Sequence, residues 1–146
     1  MVQAMASDFK KHIHPYISHM SNPIYHAIVA EVSDQHRTKD GHTTVGYALY
    51  IHSYRSFMGR AVYMDDLYVM PEFRGKGIGK ALISKVAQVS DKGETAGCNQ
   101  LHFTVLDWNK SSMDFYHSQG CFDITATKGD HCMRCEGEAL EHLAQP

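Results

Sequence analysis

Met70-Pro71-Glu72-Phe73-Arg74-Gly75-Lys76-Gly77-Ile78-Gly79-Lys80 is the stretch on which the reading of this chain turns. It follows a strand-like run, Ala61–Val69, and opens a helix-like run, Ile78–Asp91. Glycines at three alternate positions strip the side chains from the turn, so that backbone N–H groups can close on a ligand oxygen. The helix N-terminus adds the positive end of its dipole. Arg74 and Lys76 add positive charge. Together these features make an anion cradle suited to a pyrophosphate.

Three glycine-rich patterns compete for this loop. A nucleoside-triphosphate loop requires Gly-x-x-x-x-Gly-Lys-Ser/Thr. Here Gly75 and Gly79 are one residue too close, and Ala81 stands where the Mg²⁺-binding hydroxyl belongs. A dinucleotide fingerprint requires Gly-x-Gly-x-x-Gly, and Gly75-x-Gly77-x-Gly79 has the wrong last step. The third pattern, Arg/Gln-x-x-Gly-x-Gly/Ala, fits at Arg74, Gly77 and Gly79. In this the loop resembles the acetyl-CoA signature of the GNAT acetyltransferases.

A second segment strengthens the resemblance. Leu101–Val105 reads as a buried strand and leads into Leu106-Asp107-Trp108-Asn109-Lys110-Ser111-Ser112-Met113-Asp114-Phe115-Tyr116, with Gly120 beyond. Asn109 is a natural helix N-cap, and Tyr116, two helical turns on, shares its face. The run Trp-Asn followed by Phe-Tyr and Gly resembles the second half of the GNAT cofactor site. The chain is most similar to the spermidine/spermine N-acetyltransferase branch, which includes thialysine acetyltransferases. The shared words are Tyr63-Met64-Asp65-Asp66-Leu67-Tyr68-Val69-Met70, the loop from Phe73, and Val105-Leu106-Asp107-Trp108-Asn109. The match runs from about Ile24 to Glu138.

Composition bounds the function classes. A chain of 146 residues suffices for one domain, 1–146, with a buried core. A net charge of −2 leaves no electrostatic footprint for nucleic acid or an anionic membrane. No apolar run reaches membrane-spanning length, and no signal-peptide core opens the chain. Four cysteines without framework spacing suit a reducing compartment, with cytoplasm the default. Cys132 and Cys135 lie in a run, His131–Glu136, that reads as a strand and so sets positions i and i+3 on opposite faces. No second Cys/His pair completes four ligands, so no metal is expected. His12, His14 and His19 lie in a polar N-terminal stretch and read as solvated.

The remaining elements follow from period and punctuation. A short helix is expected near Asp8–Ile13, a strand at Ile24–Val32, a polar loop at Ser33–Thr43 and a strand at Thr44–Tyr54. Arg55–Arg60 turns through Gly59 into Ala61–Val69, completing an antiparallel meander. Ile78, Leu82, Val86 and Val89 recur at helical spacing, with Gly93 as the stop. Lys92–Gln100 is a loop and Lys110–Gln119 a helix. Cys121–Ala126 and His131–Glu136 read as a closing hairpin, and Ala139–Leu143 as a last short helix. This order matches the α/β GNAT fold, a mixed, mostly antiparallel sheet flanked by helices. The first strand and most of the first helix of that fold have no counterpart in the atypical segment 1–22. A bare sheet edge is therefore expected, covered by a partner if at all.

The resemblance implies acetyl transfer from acetyl-CoA to a primary amine of a small molecule (polyamine, diamine or thialysine-like), by direct attack in a ternary complex. It implies that Gly75, Lys76, Gly77, Ile78, Gly79 and Lys80 take the pyrophosphate beside Arg74. The backbone of Leu67, Tyr68 and Val69 would pair with the pantetheine arm, and Asn109 and Ser112 would complete the cofactor wall. Tyr116 is the expected acid for the leaving thiolate, and Asp65 orients or deprotonates the amine. Asp66 is a second amine contact. Adjacent residues on a strand face opposite ways, so only one of the two aspartates is expected to line a given pocket; solvated edge carboxylates remain the plain alternative. The branch implies a homodimer.

At positions where polyamine acetyltransferases carry acids, this chain has Arg55 and Lys128, and where they carry Trp it has Phe57 and Asp130. Such charges repel a polycation and suit a smaller amine or one bearing a carboxylate. Against the enzyme stands a second class, a catalytically weak relative that binds acyl-CoA or a protein partner.

Overall fold

A computed structural model of the chain describes residues 13–16, 24–92 and 100–145. The chain divides into two compact units, residues 1–104 and 105–146. The first unit holds a five-stranded sheet in the order β1-β2-β3-β4-β5. Its strands are β1 (Ile13–Tyr16), β2 (His26–Glu31), β3 (Thr44–Arg55), β4 (Gly59–Val69) and β5 (Leu101–His102). β1 to β4 pair antiparallel in turn, and β5 lies parallel to β4. A parallel neighbour needs a crossover, and α1 (Ile78–Lys92) lies in that connection.

The meander forms where alternation predicted it. β3 and β4 meet at a tight turn in which Met58 N–H donates to the Arg55 carbonyl at 3.0 Å. Gly59 there holds φ 80, a conformation that costs glycine nothing. The core lies between the sheet and α1. Ile28, Ala30, Val45, Ala48, Val62 and Met64 are buried from the strands, and Ile78, Leu82, Ile83 and Val86 from the helix. Gly46 lets the layers close: a Cβ added there would stand 2.9 Å from the Tyr68 carbonyl oxygen and 3.4 Å from Leu82 Cδ1.

Expectation and structure differ here at the sheet edge. The polar loop Ser33–Thr43 contains a 3₁₀ turn, Asp34–His36. The edge of β2 is not bare, because Ile13–Tyr16 pairs along Ala27–Ala30. Of the helix expected at Asp8–Ile13, only Ile13 falls among the described residues, and it opens β1. His12, His19 and Gly93 also lie outside them.

The buried strand expected at Leu101–Val105 is two residues long and half-buried. Its partner explains this: β4 pairs with β5 only at Val62 and Tyr63, and two residues later β4 carries a bulge. The β3–β4 register passes from Tyr50↔Met64 to Leu49↔Asp66, leaving Asp65 unmatched. A bulge bends and twists its strand, so a straight parallel neighbour cannot follow it.

In the second unit α2 (Lys110–Ser118) matches the expected helix. The closing hairpin is not formed. Ile124–Lys128 is a short helix, α3, and residues 129–136 are irregular. Asp123 Oδ1 accepts from the N–H groups of Thr125 and Ala126 at 2.9 and 3.3 Å. Gly129 ends the turn at φ 70. A good N-cap and a left-handed glycine C-cap override the strand propensity of Phe122 and Ile124. The strand argument that separated Cys132 from Cys135 therefore lapses, and both thiols are exposed. The last helix, α4, spans Glu138–Leu143.

Candidate active site

The outer edge of β4 is open where the glycine-rich loop begins. β5 ends at His102, opposite Tyr63, so among the described residues no strand pairs with that edge from Met64 to Val69. Met70 N–H donates to the Val45 carbonyl at 2.9 Å, and Gly46 stands opposite Val69. In an antiparallel ladder this makes Gly46–Val69 a non-hydrogen-bonded pair and Tyr47–Tyr68 a hydrogen-bonded one. The N–H groups of Leu67 and Val69 therefore point outward, whereas those of Tyr68 turn to β3. Two donors spaced one residue apart on an open edge are what an extended ligand pairs with.

The loop continues this edge. Pro71–Phe73 forms a 3₁₀ turn, and Phe73 is buried beneath it. Gly75 and Gly77 then adopt φ 75 and 84. Left-handed glycines in succession turn backbone N–H groups into one concavity, a nest for an anion. A Cβ on either would meet nothing within 4 Å, so the concavity is open. Ala81 N–H donates to the Gly77 carbonyl at 3.0 Å, closing the first turn of α1. The first N–H groups of any helix lack intrahelical acceptors, and here they belong to Ile78, Gly79 and Lys80. Two cations are held beside the nest. Arg74 Nε donates to the Val69 carbonyl at 2.8 Å, with its guanidinium 5.7 Å from the Tyr68 ring centre. Lys76 Nζ lies 5.2 Å from the Phe73 ring centre. Open space, outward donors and flanking cations fit a pyrophosphate-bearing co-substrate.

At the other end of the open edge lie the paired carboxylates. The bulge breaks the strand's alternation at Asp65, and both Asp65 and Asp66 are exposed. Tyr47 Oη donates to Asp66 Oδ2 at 2.8 Å. That hydrogen bond first, then burial and the negative charge of Asp66, push the Tyr47 hydroxyl above its usual range. Sequence reasoning missed Tyr47, which sits in no motif.

In the second unit Asn109 caps α2, its Oδ1 accepting from Ser112 N–H and from Ser111 Oγ, both at 3.3 Å. The carbonyl end of its amide is thus engaged in the helix, as the sequence predicted. Tyr116 is half-buried, its ring centre 5.2 Å from that of Phe115. Lys128 lies at the end of α3, not in a hairpin, so the strand register that aligned it with an acceptor-site acid is not formed. Arg55 ends β3, and Phe57 stands fully exposed in the turn that follows. Burial and the Arg55 charge hold the His102 imidazole below its usual range.

The sequence model of the Acetyltransferase (GNAT) family matches residues 6–121. The chain belongs to the GNAT acetyltransferase family. The match crosses residue 104 and so includes parts of both compact units. The GNAT chain is 49% identical over 123 residues to the thialysine N-epsilon-acetyltransferase of Bos taurus, covering 84% of itself and 70% of that protein. It is 36% identical over 123 residues to a human spermidine/spermine N(1)-acetyltransferase-like protein 1, covering 84% of itself and 17% of that longer protein. Among solved structures, an integron cassette protein from the mobile metagenome of V. cholerae superposes with a TM-score of 0.67 at 28% identity. The superposition covers 86% of this chain and 70% of that one. The chain is accordingly an N-acetyltransferase, and acetyl-CoA is the co-substrate of its family.

Proposed function

We propose that this GNAT enzyme moves the acetyl group of acetyl-CoA to a primary amine of a small molecule, by direct attack within a ternary complex. One observation carries the reading. The open edge of β4 runs from the exposed carboxylates Asp65 and Asp66, past the outward N–H groups of Leu67 and Val69, into the nest of Gly75 and Gly77. Acceptor groups, thioester donors and a pyrophosphate cradle thus follow one another along one strand.

Each residue has a stated part. Gly75, Lys76, Gly77, Ile78, Gly79 and Lys80 hold the pyrophosphate, with Arg74 beside them. Leu67 and Val69 pair with the pantetheine arm, and one of their N–H groups steadies the carbonyl oxygen as it gains charge. Asp65 accepts the proton that the ammonium must lose, directly or through water. Asp66 binds the amine. Tyr116 donates a proton to the departing sulfur, a role worth roughly 10²–10⁴-fold. Asn109 and Ser112 belong to the cofactor wall, supported by the intact capped helix on which Tyr116 lies. Holding both substrates together supplies proximity, up to about 7–11 kcal/mol in ideal cases. A homodimer, which rests on the resemblance, in the cytoplasm, which rests on the cysteine usage, completes the reading.

The acceptor favoured is compact: an amino-acid side-chain amine of the thialysine type, rather than a long polyamine. A relative named for thialysine is the more similar of the two compared, at 49% against 36% identity. Arg55 supports the same choice. In the β3–β4 register Arg55 lies opposite Gly59, five residues from the Tyr50↔Met64 pair, which is about 17 Å of strand. A polycation extended from Asp66 toward the hairpin meets a guanidinium there; a short acceptor does not reach it.

Calorimetric titration with acetyl-CoA, beside a Gly77→Glu control, tests the cofactor half. Saturable one-to-one binding abolished by the control is expected. A folded chain that binds no acetyl-CoA would overturn the reading.

A further inference from the structure

We infer that Tyr47 is a positioning residue for the acceptor: its hydroxyl holds one oxygen of Asp66 and aims the other at the amine. The inference rests on the reading of Asp66 as an amine contact. Asp66 is exposed at a bulge, where an unrestrained carboxylate would sample several rotamers. The 2.8 Å hydrogen bond from Tyr47 Oη to Oδ2 restrains it, and Oδ1 is the oxygen that this bond does not engage. Tyr47 is itself held. Its ring centre lies 5.8 Å from that of Tyr68, and Tyr68 lies under the Arg74 guanidinium, whose Nε is bonded to the Val69 carbonyl. A continuous line of contacts thus joins the acceptor carboxylate to the edge of the pyrophosphate cradle.

The arrangement has a chemical consequence. A carboxylate oxygen and the lone pairs of the Tyr47 hydroxyl form two adjacent acceptors, matched to two N–H bonds of an ammonium. The hydroxyl keeps its proton, and so keeps donating, because its acidity is suppressed by the same Asp66 contact. The third N–H bond remains for Asp65. Only a primary ammonium carries three N–H bonds, so the three acceptors favour it over a secondary one, which leaves one of them without a donor.

The test pairs kinetics with spectroscopy on Tyr47→Phe, Asp66→Asn and the double variant. Tyr47→Phe is expected to raise the KM for the amine about 10-fold, the scale of a hydrogen bond to a charged group. It should leave kcat and the KM for acetyl-CoA within about two-fold. In the Asp66→Asn background the same change is expected to cost clearly less, because only the direct contact of the hydroxyl with the amine is left to lose. In ¹³Cζ-tyrosine NMR, one resonance is expected to titrate above the ordinary tyrosine value and to move earlier in Asp66→Asn. This readout does not depend on Tyr47→Phe folding. Equal effects of Tyr47→Phe in both backgrounds, or no tyrosine resonance responding to Asp66→Asn, would overturn the inference alone. An amine KM unchanged by Asp66→Asn would overturn it together with the reading beneath it.

Discussion

Arg74 reaches back across its own turn and donates from Nε to the carbonyl of Val69, the last residue of β4, at 2.8 Å. The bond ties the mouth of the glycine-rich loop to the open strand edge, so that the two halves of the co-substrate site are held by one side chain. Arg74→Ala is expected to raise the KM for acetyl-CoA about 10-fold or more, as for a charge-assisted hydrogen bond. Arg74→Lys should recover little, because lysine carries no Nε–H fork. Steady-state kinetics in each substrate check this; a rise confined to the amine KM would contradict it.

Gly46 sets the distance between β3, β4 and α1. Its missing Cβ would press on the Tyr68 carbonyl at 2.9 Å, which is backbone within a paired strand and cannot swing aside. Gly46→Ala is expected to cost about 1–3 kcal/mol of stability, the range for overpacking a core. Chemical denaturation reads it as a lower midpoint at unchanged slope. An unchanged midpoint would mean that the strands separate more easily than the register implies.

Tyr116→Phe is expected to lower turnover roughly 10²–10⁴-fold, as for loss of a general acid. Acetyl-CoA affinity by calorimetry should stay unchanged, since the part proposed for the phenol is at the leaving sulfur. A loss of affinity with turnover intact would reassign Tyr116 to the cofactor wall.

His102 gives a pH signature. Its imidazole is held below the ordinary histidine value of about 6.5, by burial first and by Arg55 second. The unfolded chain takes up the proton near 6.5 and the folded chain only at lower pH. The contribution of His102 to stability is therefore full above pH 6.5 and is lost as the pH falls through the folded value. Histidine NMR, assigned with His102→Gln, should show its titration moving up in Arg55→Met. The recovery should be partial, because burial is the larger cause and remains. No movement in that variant would remove Arg55 from the environment of His102.

The fold was legible where the chain's signals are local and repeated. Alternation in Thr44–Tyr54 and the Ile78, Leu82, Val86 spacing gave β3 and α1 to within a residue or two. Asn109 capped α2 as its residue type predicts. The second unit misled because Phe122 and Ile124 carry strand propensity, while Asp123 and Gly129 carry the capping geometry that won. Half of the candidate site was legible too, since the loop Arg74–Lys80 announces itself. At the carboxylate end the sequence named Asp65 and Asp66 but not their register. A regular hairpin counted from Arg55↔Gly59 puts Leu49 opposite Asp65; the structure puts it opposite Asp66. One unmatched residue exchanges the faces of everything beyond it, and it is this that brings Asp66 to Tyr47. A bulge has no sequence signature in this stretch, so the contact of Tyr47 with Asp66 was not open to inspection beforehand.

The central claim is that acetyl-CoA and a compact primary amine react on this chain. The most direct measurement follows release of the CoA thiol from acetyl-CoA on adding thialysine or spermidine, with the product mass read alongside. Amine-dependent thiol release is expected, with a monoacetylated product and thialysine preferred over spermidine. Acetyl-CoA bound by the chain but not consumed with either amine would contradict the account and leave a protein that holds acyl-CoA without transferring it.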